Sequence, residues 1–218
     1  MIINKGLCSV SFRPLSIEEI IKKVKENGLN CIEWGGDVHV PVDNQENALR
    51  VRDLTIKSGL KLLSFGSYFR CEDVESFKNV SKTAEILGTK IIRIWAGNKD
   101  ADKYTEEEFC HLVDVVKKCA DIAERKNQIL AFEFHFGTYN NCSQNSKKLL
   151  EAINRKNDQT YWQPMYWIDY KSDDEEIEIN VQSIKDLYNN IVGVHVYAWK
   201  RFDRFPLKDY LNKWKEYK

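Results

Sequence analysis

The sequence has no surplus of either charge. Lysine and arginine together number 33, and aspartate and glutamate also number 33, so the formal net charge is zero. A protein that binds nucleic acid usually carries a basic excess, which neutralises phosphates and releases counterions. The balance therefore predicts no nucleic-acid partner and favours a small ligand that is neutral or singly charged.

The sequence also lacks a long apolar run and closely spaced cysteines. No segment has the roughly 20 apolar residues that span a bilayer, and the start of the chain lacks the apolar stretch of a signal peptide. The six cysteines include no CxxC or CxxxC pair. Scattered cysteines of this kind are typical of reduced, buried thiols. We therefore expect a cytoplasmic protein with no membrane partner.

Proline and glycine are scarce as well, at 4 and 10 residues. No linker rich in either residue divides the chain, which predicts one domain over residues 1–218. The glycines act instead as helix stops, because Gly28, Gly59 and Gly88 each follow a predicted helix. Capping boxes open two helices, at Ser16–Glu19 and at Thr105–Glu108.

What the sequence does contain is a regular alternation of strand and helix patterns. Short runs rich in β-forming residues predict seven strands, at Gly6–Phe12, Cys31–Trp34, Lys61–Phe65, Ile91–Trp95, Ile129–Phe136, Thr160–Ile168 and Ile191–Tyr197. Helical patterns follow them, at Ser16–Gly28, Asn47–Ser58, Val74–Leu87, from Thr105 onward, and at Asn145–Arg155, Val181–Tyr188 and Leu207–Tyr217. Strand starts lie about 31 residues apart, which indicates parallel strands joined by helical crossovers.

Two features favour an α/β fold of the (βα) TIM-type barrel over an open nucleotide-binding sheet. No GxGxxG follows the first strand. Polar residues lie late in the strands, where barrel enzymes place their chemistry, at Glu33, Arg93, Glu133, His135 and His195. Seven βα units are readable, and an eighth strand is expected beyond residue 218. The sequence therefore predicts a barrel without its eighth strand.

Six blocks of sequence indicate a particular family: NGLNCIEWGGDVHVP, SGLKLLSFGSYFR, LGTKIIRIWAG, LAFEFHFGTYNN, YWQP and VGVHVYAW. In their order and spacing they resemble the xylose isomerase-like TIM barrels, the sugar phosphate isomerase/epimerase superfamily related to endonuclease IV. The resemblance covers residues 6 to about 210. It implies a sugar or sugar-phosphate isomerase or epimerase.

The resemblance also implies a divalent metal, Mn²⁺, Mg²⁺ or Zn²⁺. Family members bind it with Glu on strand five, Asp on strand six, His on strand seven and Glu on strand eight. Glu133 and His195 match strands five and seven, but Gln163 replaces the aspartate and the last glutamate is absent. The ligand set Glu133, Gln163 and His195 therefore implies weakened metal binding. Asp169 could replace the missing aspartate, but the polar stretch that contains it reads as a loop or solvated surface.

Glu133 and His135 are the predicted catalytic residues. With a period of two, they share one face of a strand, opposite Phe132 and Phe134. A buried carboxylate needs a metal, a cation or hydrogen-bond donors. The alternative for Glu133 is a structural carboxylate paired with Arg93. Both histidines, at 135 and 195, also fit a core imidazole bonded within the protein.

Five residues are predicted to bind substrate: Glu33, Tyr68, Arg93, Trp95 and Trp199. Glu33 and Arg93 could bind sugar hydroxyls or a phosphate, or form a structural ion pair. Aromatic rings, including Trp34 and Tyr197, could cover the apolar face of a sugar or pack in the core. The acidic run Asp173–Glu176 reads as solvated surface.

The leading functional hypothesis is proton transfer next to a carbonyl, with Glu133 as acid or base. The alternative is a degenerate or truncated family member that binds carbohydrate without turnover. An open barrel exposes its edge strands, so we expect either a homodimer that covers the gap or a lost C-terminus. A repair nuclease is disfavoured, because only four histidines are present.

Overall fold

The computed structural model of the protein describes residues 4–218, so the first three residues of the predicted domain lie outside the described residues. The chain divides into two compact units. The first runs to Ile94 and includes Val115–Leu130, and the second comprises Trp95–Asp114 and Ala131–Lys218. The prediction of one domain over 1–218 stays a prediction.

The first unit alternates strands and helices in chain order. Its elements are β1 (Gly6–Cys8), α1 (Ile17–Glu26), β2 (Cys31–Gly35), α2 (Gln45–Lys57), β3 (Lys61–Gly66), α3 (Val74–Leu87) and β4 (Ile91–Ile94). Neighbouring strands pair in parallel, β1 with β2, β2 with β3 and β3 with β4. The parallel pairing confirms the crossover connections that the 31-residue spacing predicts.

Local sequence sets the helix ends of this unit. The Ser16 side chain accepts from the Glu19 amide, and Glu19 accepts from the Ser16 amide in return, which confirms the predicted capping box. Gly88 ends α3 at a φ of 85°, a left-handed conformation that favours glycine. The apolar faces of the helices are buried together with Ile32, Phe65 and Ile92 of the strands.

Helix α4 (Glu106–Glu124) contributes residues to both units. The side chain of Thr105 accepts from the Glu108 amide at 3.2 Å, and Glu108 accepts from the Thr105 amide at 2.8 Å. This reciprocal pair confirms the second predicted capping box.

The second unit contains the remaining strands and helices. Its elements are β5 (Ile129–Glu133, which begins in the first unit), α5 (Ser143–Ile153), β6 (Asp158–Trp162), α6 (Asp173–Leu187), β7 (Ile191–Val194), β8 (Trp199–Lys200), β9 (Asp203–Arg204) and α7 (Leu211–Glu216). Strands β5, β6 and β7 are adjacent in this order, and β8 pairs with β9 in an antiparallel hairpin. With seven βα units in chain order, the fold is of the TIM-barrel type, as predicted.

Several predicted elements have other bounds in the structure. Strand β1 ends at Cys8 rather than Phe12, and β5 ends at Glu133 rather than Phe136. Strand β6 ends at Trp162 rather than Ile168, because Pro164 has no amide hydrogen for a strand ladder. Strand β7 ends at Val194 rather than Tyr197. Helix α6 begins at Asp173 rather than Val181, since Ser172 caps it and acidic side chains favour the positive end of a helix.

The interpretation of Asp173–Glu176 as solvated surface is wrong for Glu176. These four residues form the first turn of α6, and Glu176 faces inward with only 5% of its surface exposed. Its Oε2 lies 2.5 Å from the Nζ of Lys213, which is itself buried. A helix has an inner and an outer face, so a continuous acidic run does not stay entirely in solvent.

Two composition-based expectations concern membranes and cysteines. No helix within residues 4–218 has both the length and the apolar character required to cross a bilayer. Three of the six cysteines, Cys31, Cys71 and Cys119, are buried, as expected for apolar core thiols.

Candidate functional site

Glu133 ends strand β5 between the indole nitrogen of Trp95 and the imidazole of His195. Its side chain is 8% exposed, and the flanking Phe132 and Phe134 are fully buried. Its Oε2 accepts a 2.6 Å hydrogen bond from the indole of Trp95, and its Oε1 lies 3.5 Å from Nδ1 of His195. Glu133 and His195 thus meet, as a shared ligand site requires.

Gln163 follows strand β6 and completes this cluster. Its Nε2 donates to the Phe134 carbonyl at 2.7 Å. A carbonyl oxygen can only accept, so this contact fixes the orientation of the amide. Its Oε1 therefore faces His195 and lies 3.2 Å from Nδ1 of that ring. The structure brings together all three predicted metal ligands, Glu133, Gln163 and His195.

The spacings from the His195 imidazole to Glu133 and to Gln163 are those of ligands on one small cation. Ligand atoms at about 2.1 Å from one ion are roughly 3.0–3.5 Å apart, and the imidazole nitrogen lies 3.2 and 3.5 Å from the two oxygens. The set is poor in charge, because Glu133 supplies its single carboxylate and Gln163 a neutral amide. Asp169, the proposed substitute, is 80% exposed, as the surface-loop interpretation predicts. We therefore expect weak divalent binding at these three residues.

His135 lies just beyond β5, in the loop, rather than within a strand. Its Nδ1 is 2.6 Å from the Phe136 carbonyl, so Nδ1 carries a proton and, in the neutral ring, Nε2 carries the lone pair. The ring of Trp95 lies 5.2 Å from that of His135, centroid to centroid. Trp95 thereby contacts both predicted catalytic residues, Glu133 through its nitrogen and His135 through its ring.

Asp100 holds the loop that carries His135, and sequence reasoning missed it. Its Oδ1 accepts from the Gly137 amide at 2.7 Å and from Asn141 Nδ2 at 3.1 Å. Burial alone would raise the pKa of Asp100, but these bonds and that from Lys103 lower it below its usual value. An ionised Asp100 therefore fixes the loop. The sequence did not indicate this role, because Asp100 lies among other polar residues of a loop.

Aromatic side chains surround these polar groups. Tyr166 and Tyr197 lie with ring centroids 5.6 Å apart, and the hydroxyl of Tyr197 donates to the Pro164 carbonyl at 2.6 Å. Burial first, and the negative charge of Glu133 in addition, raise the pKa of both phenols well above the ordinary value. Both phenols therefore stay protonated. Tyr166 was also missed, although the aromatic-rich segment after Trp162 is a signal for it.

The predicted substrate residue Trp199 lies in β8 within this aromatic cluster. Its ring centroid is 4.9 Å from that of Tyr166, and the guanidinium of Arg204 lies 4.7 Å over it. One face of Trp199 is therefore covered by a cation. The predicted contact of Trp199 with substrate stays a prediction.

Glu33 and Arg93 belong to the first unit and form a buried ion pair. Oε1 of Glu33 accepts from Arg93 Nε at 2.8 Å and from Cys8 Sγ at 3.1 Å, and Oε2 accepts from Ser64 at 2.7 Å. Both side chains are at most 3% exposed. The ion-pair interpretation is confirmed, and their substrate role stays a prediction. Gly66 leaves room for this pair, because a Cβ there would lie 2.5 Å from Nη2 of Arg93.

Tyr68, the other predicted substrate residue of the first unit, has a left-handed backbone with φ of 61°. Its ring lies 5.3 Å from the Arg93 guanidinium, and its hydroxyl accepts from Arg13 at 3.0 Å. Burial raises the pKa of this phenol, although the charge of Arg93 opposes the shift. Trp34, in contrast, is a fully buried core residue that donates to Thr55.

Repeated βα units with polar groups at the strand ends define a protein of the TIM-barrel type. The chain belongs to the family of xylose isomerase-like TIM barrels, which it matches over residues 21–210. This match confirms the family resemblance of the sequence blocks.

Proteins similar to this chain include a dehydratase and epimerases. The 3-dehydroshikimate dehydratase of Bacillus anthracis is 23% identical over 164 residues, covering 70% of this chain and 58% of its own length. The chain thus spans less than two thirds of that curated relative. The structure of the probable 3-DHS dehydratase AsbF of B. anthracis matches with a TM-score of 0.75 at 19% identity, over 90% of this chain and 74% of that one.

The 3-keto-D-glucoside 4-epimerase YcjR of E. coli has a TM-score of 0.69 at 14% identity, over 98% of this chain and 87% of its own. L-ribulose 3-epimerase has a TM-score of 0.67 at 15% identity, over 89% and 70%. At such identities these likenesses show the shared fold.

Proposed function

We propose that the protein binds a small polyhydroxylated carbonyl compound and transfers a proton next to its carbonyl, with Glu133 as the acid or base. The observation that carries this proposal is the buried Glu133 carboxylate held between Trp95 and His195. Isolated carboxylates are costly to bury, so a buried carboxylate that accepts from an indole and lies beside an imidazole is a good candidate for proton transfer.

The names of the similar proteins support the same chemistry. Epimerisation beside a carbonyl and dehydration of a hydroxy ketone both begin when a base removes the proton next to the carbonyl. The likeness to L-ribulose 3-epimerase, to 3-keto-D-glucoside 4-epimerase and to 3-dehydroshikimate dehydratase therefore favours this first step. The substrate class that we propose is a sugar or a similar hydroxy ketone.

Each side chain has a proposed part in this reaction. Glu133 takes or returns the proton, and Trp95 orients its carboxylate through the indole hydrogen bond. The lone pair on Nε2 of His135 accepts a hydrogen bond from a substrate hydroxyl. A divalent cation held by Glu133, Gln163 and His195 would polarise the substrate oxygen when bound.

A deuterium-exchange screen tests the proposal without prior choice of product. The protein is incubated in D₂O with D-tagatose, L-ribulose and 3-dehydroshikimate, with and without Mn²⁺, and deuterium next to the carbonyl is measured by NMR. We expect incorporation into at least one compound above the buffer rate. No incorporation, with a native circular-dichroism spectrum, would contradict proton transfer to these compounds.

The second candidate function is carbohydrate binding without turnover. Gln163 favours it, because an amide in the cluster leaves a single carboxylate to attract a cation. Binding of D-tagatose without deuterium exchange, both with and without Mn²⁺, would support this alternative. The two functions are thus separated by one pair of measurements.

Replacing Gln163 by aspartate should strengthen Mn²⁺ binding by at least about tenfold, or about 1.4 kcal/mol. The reason is that a second carboxylate joins Glu133 in the cluster, and carboxylates attract hard cations more strongly than amides do. Isothermal titration with Mn²⁺ measures the change. The control is Gln163→Asn, which shortens the side chain equally but adds no charge, so equal affinities for the two variants would show that charge at 163 does not limit binding.

We also propose self-association through the region of β7. Val194, the last residue of β7, and Val196, two positions later, are 43% and 55% exposed. Neighbouring exposed apolar side chains of this kind often mark a protein–protein contact. Sedimentation velocity at increasing concentration should show a monomer–dimer equilibrium, and Val196→Lys should weaken it. A concentration-independent monomer would contradict the proposal.

A further inference from the structure

The turn of the β8–β9 hairpin has an unusual composition. Its two central residues, Arg201 and Phe202, have φ values of 51° and 74°. Two-residue hairpin turns of this left-handed kind favour Asn-Gly, because glycine has no Cβ that clashes in this conformation. A phenylalanine here is costly, and such departures occur most often at functional positions.

Contacts within the second unit hold the turn in place. The amide of Arg201 donates to the Tyr166 carbonyl at 2.8 Å. The Phe202 ring lies edge-on to Phe136 at 5.2 Å and to Tyr166 at 5.5 Å. With these contacts, Phe202 remains 56% exposed.

The exposed ring belongs to the surroundings of His135. Phe136, which contacts Phe202, also stacks on the His135 ring at 4.4 Å. Tyr166, the second ring in contact with Phe202, is 6.5 Å from His135. Arg204 covers one face of the Trp199 ring. A ligand can therefore reach the ring of Phe202 more easily than that of Trp199.

We infer that Phe202 contacts the ligand and determines its specificity, by offering its ring to the apolar C–H face of an uncharged sugar-like molecule. The inference rests on the proposed function, since it deepens the description of the same site. Aromatic rings bind such faces by dispersion and by burial of apolar surface. Phe202 therefore acts in binding and not as an acid or base.

The test compares three replacements of Phe202. Phe202→Gly removes the ring while relieving the left-handed backbone, so the hairpin should fold at least as well. Phe202→Leu keeps apolar bulk without a ring, and Phe202→Tyr keeps the ring. Affinity for D-tagatose is measured by ligand-observed NMR, which needs no turnover. We expect about a fivefold or greater loss for Gly, a smaller loss for Leu and near-native affinity for Tyr.

Phe205→Ala is the matched control, because that exposed ring stacks on Tyr210 at 6.0 Å instead. Native affinity in Phe202→Gly would overturn the inference, as would absence of D-tagatose binding to the wild type at millimolar concentration. Deuterium exchange combined with Phe202-independent binding overturns this inference and leaves the proposed function standing. Binding that depends on Phe202 but occurs without deuterium exchange supports this inference and contradicts the proposed proton transfer.

Discussion

Replacing Glu133 by glutamine should lower the rate of deuterium exchange into a responsive compound by about 10²–10⁴-fold, the usual contribution of a positioned general base. Glutamine has nearly the same shape and can still accept the 2.6 Å hydrogen bond from Trp95. It cannot take a proton from carbon at neutral pH. The variant therefore removes the proposed chemistry while keeping the local packing.

The measurement is the initial exchange rate by NMR, at saturating compound and with and without Mn²⁺. The binding constant for D-tagatose, measured in parallel, should change much less than the rate, because Glu133 acts on the proton. Glu151→Gln, an exposed glutamate on α5, is the control for the loss of a negative charge. Exchange at the wild-type rate in Glu133→Gln would exclude Glu133 as the base.

The sequence was sufficient to predict the order of strands and helices. Capping boxes at Ser16 and Thr105 mark helix starts by local hydrogen bonds, and Gly88 marks a helix end by its backbone conformation, so no distant contact is needed to find them. The set Glu133, Gln163 and His195 was predicted from the family resemblance, and its members meet because parallel strands bring their carboxyl ends to one side.

Other features of the site depend on contacts between residues distant in sequence. The hairpin carrying Phe202 was missed because its turn has none of the usual turn residues. The proton position on His135 is set by the loop carbonyl of Phe136, and the amide orientation of Gln163 by the Phe134 carbonyl. Such orientations require coordinates, since the sequence gives residue types but not the partners that they find.

Replacing Lys213 by methionine should lower the free energy of unfolding by about 3–5 kcal/mol, the usual cost of leaving a buried charge without its partner. Nζ of Lys213 lies 2.5 Å from Glu176 and 3.0 Å from Asp173, and its side chain is 8% exposed. Methionine would fill similar volume but leave the carboxylate of Glu176 buried without this ammonium. Urea unfolding followed by circular dichroism measures the change.

The Lys213–Glu176 pair attaches α7 to α6. We therefore expect its loss to change the structure of the candidate site as well. Trp214, the next residue of α7, donates from its indole to the Tyr197 carbonyl at 2.8 Å. A loosened α7 would weaken this restraint on the segment after β7. Lys215→Met is the control, because Lys215 lies exposed on the same helix. Lys213→Met with Glu176→Met should recover much of the stability, since both charges are then removed.

The pH dependence separates a charge effect from a packing effect. The hydrogen bond from Lys213 lowers the pKa of Asp173 below its usual 3.8, so this stabilisation is present above that pH and is lost as acid protonates Asp173. Burial would lower the pKa of Lys213, but its bonds to Glu176 and Asp173 raise it above 10.5, and that stabilisation is lost as pH rises through the raised value. The difference between wild type and Lys213→Met should therefore be greatest near neutral pH and shrink in acid and in strong base. A difference that is the same at every pH would mean that lost packing, rather than lost charge, accounts for the effect.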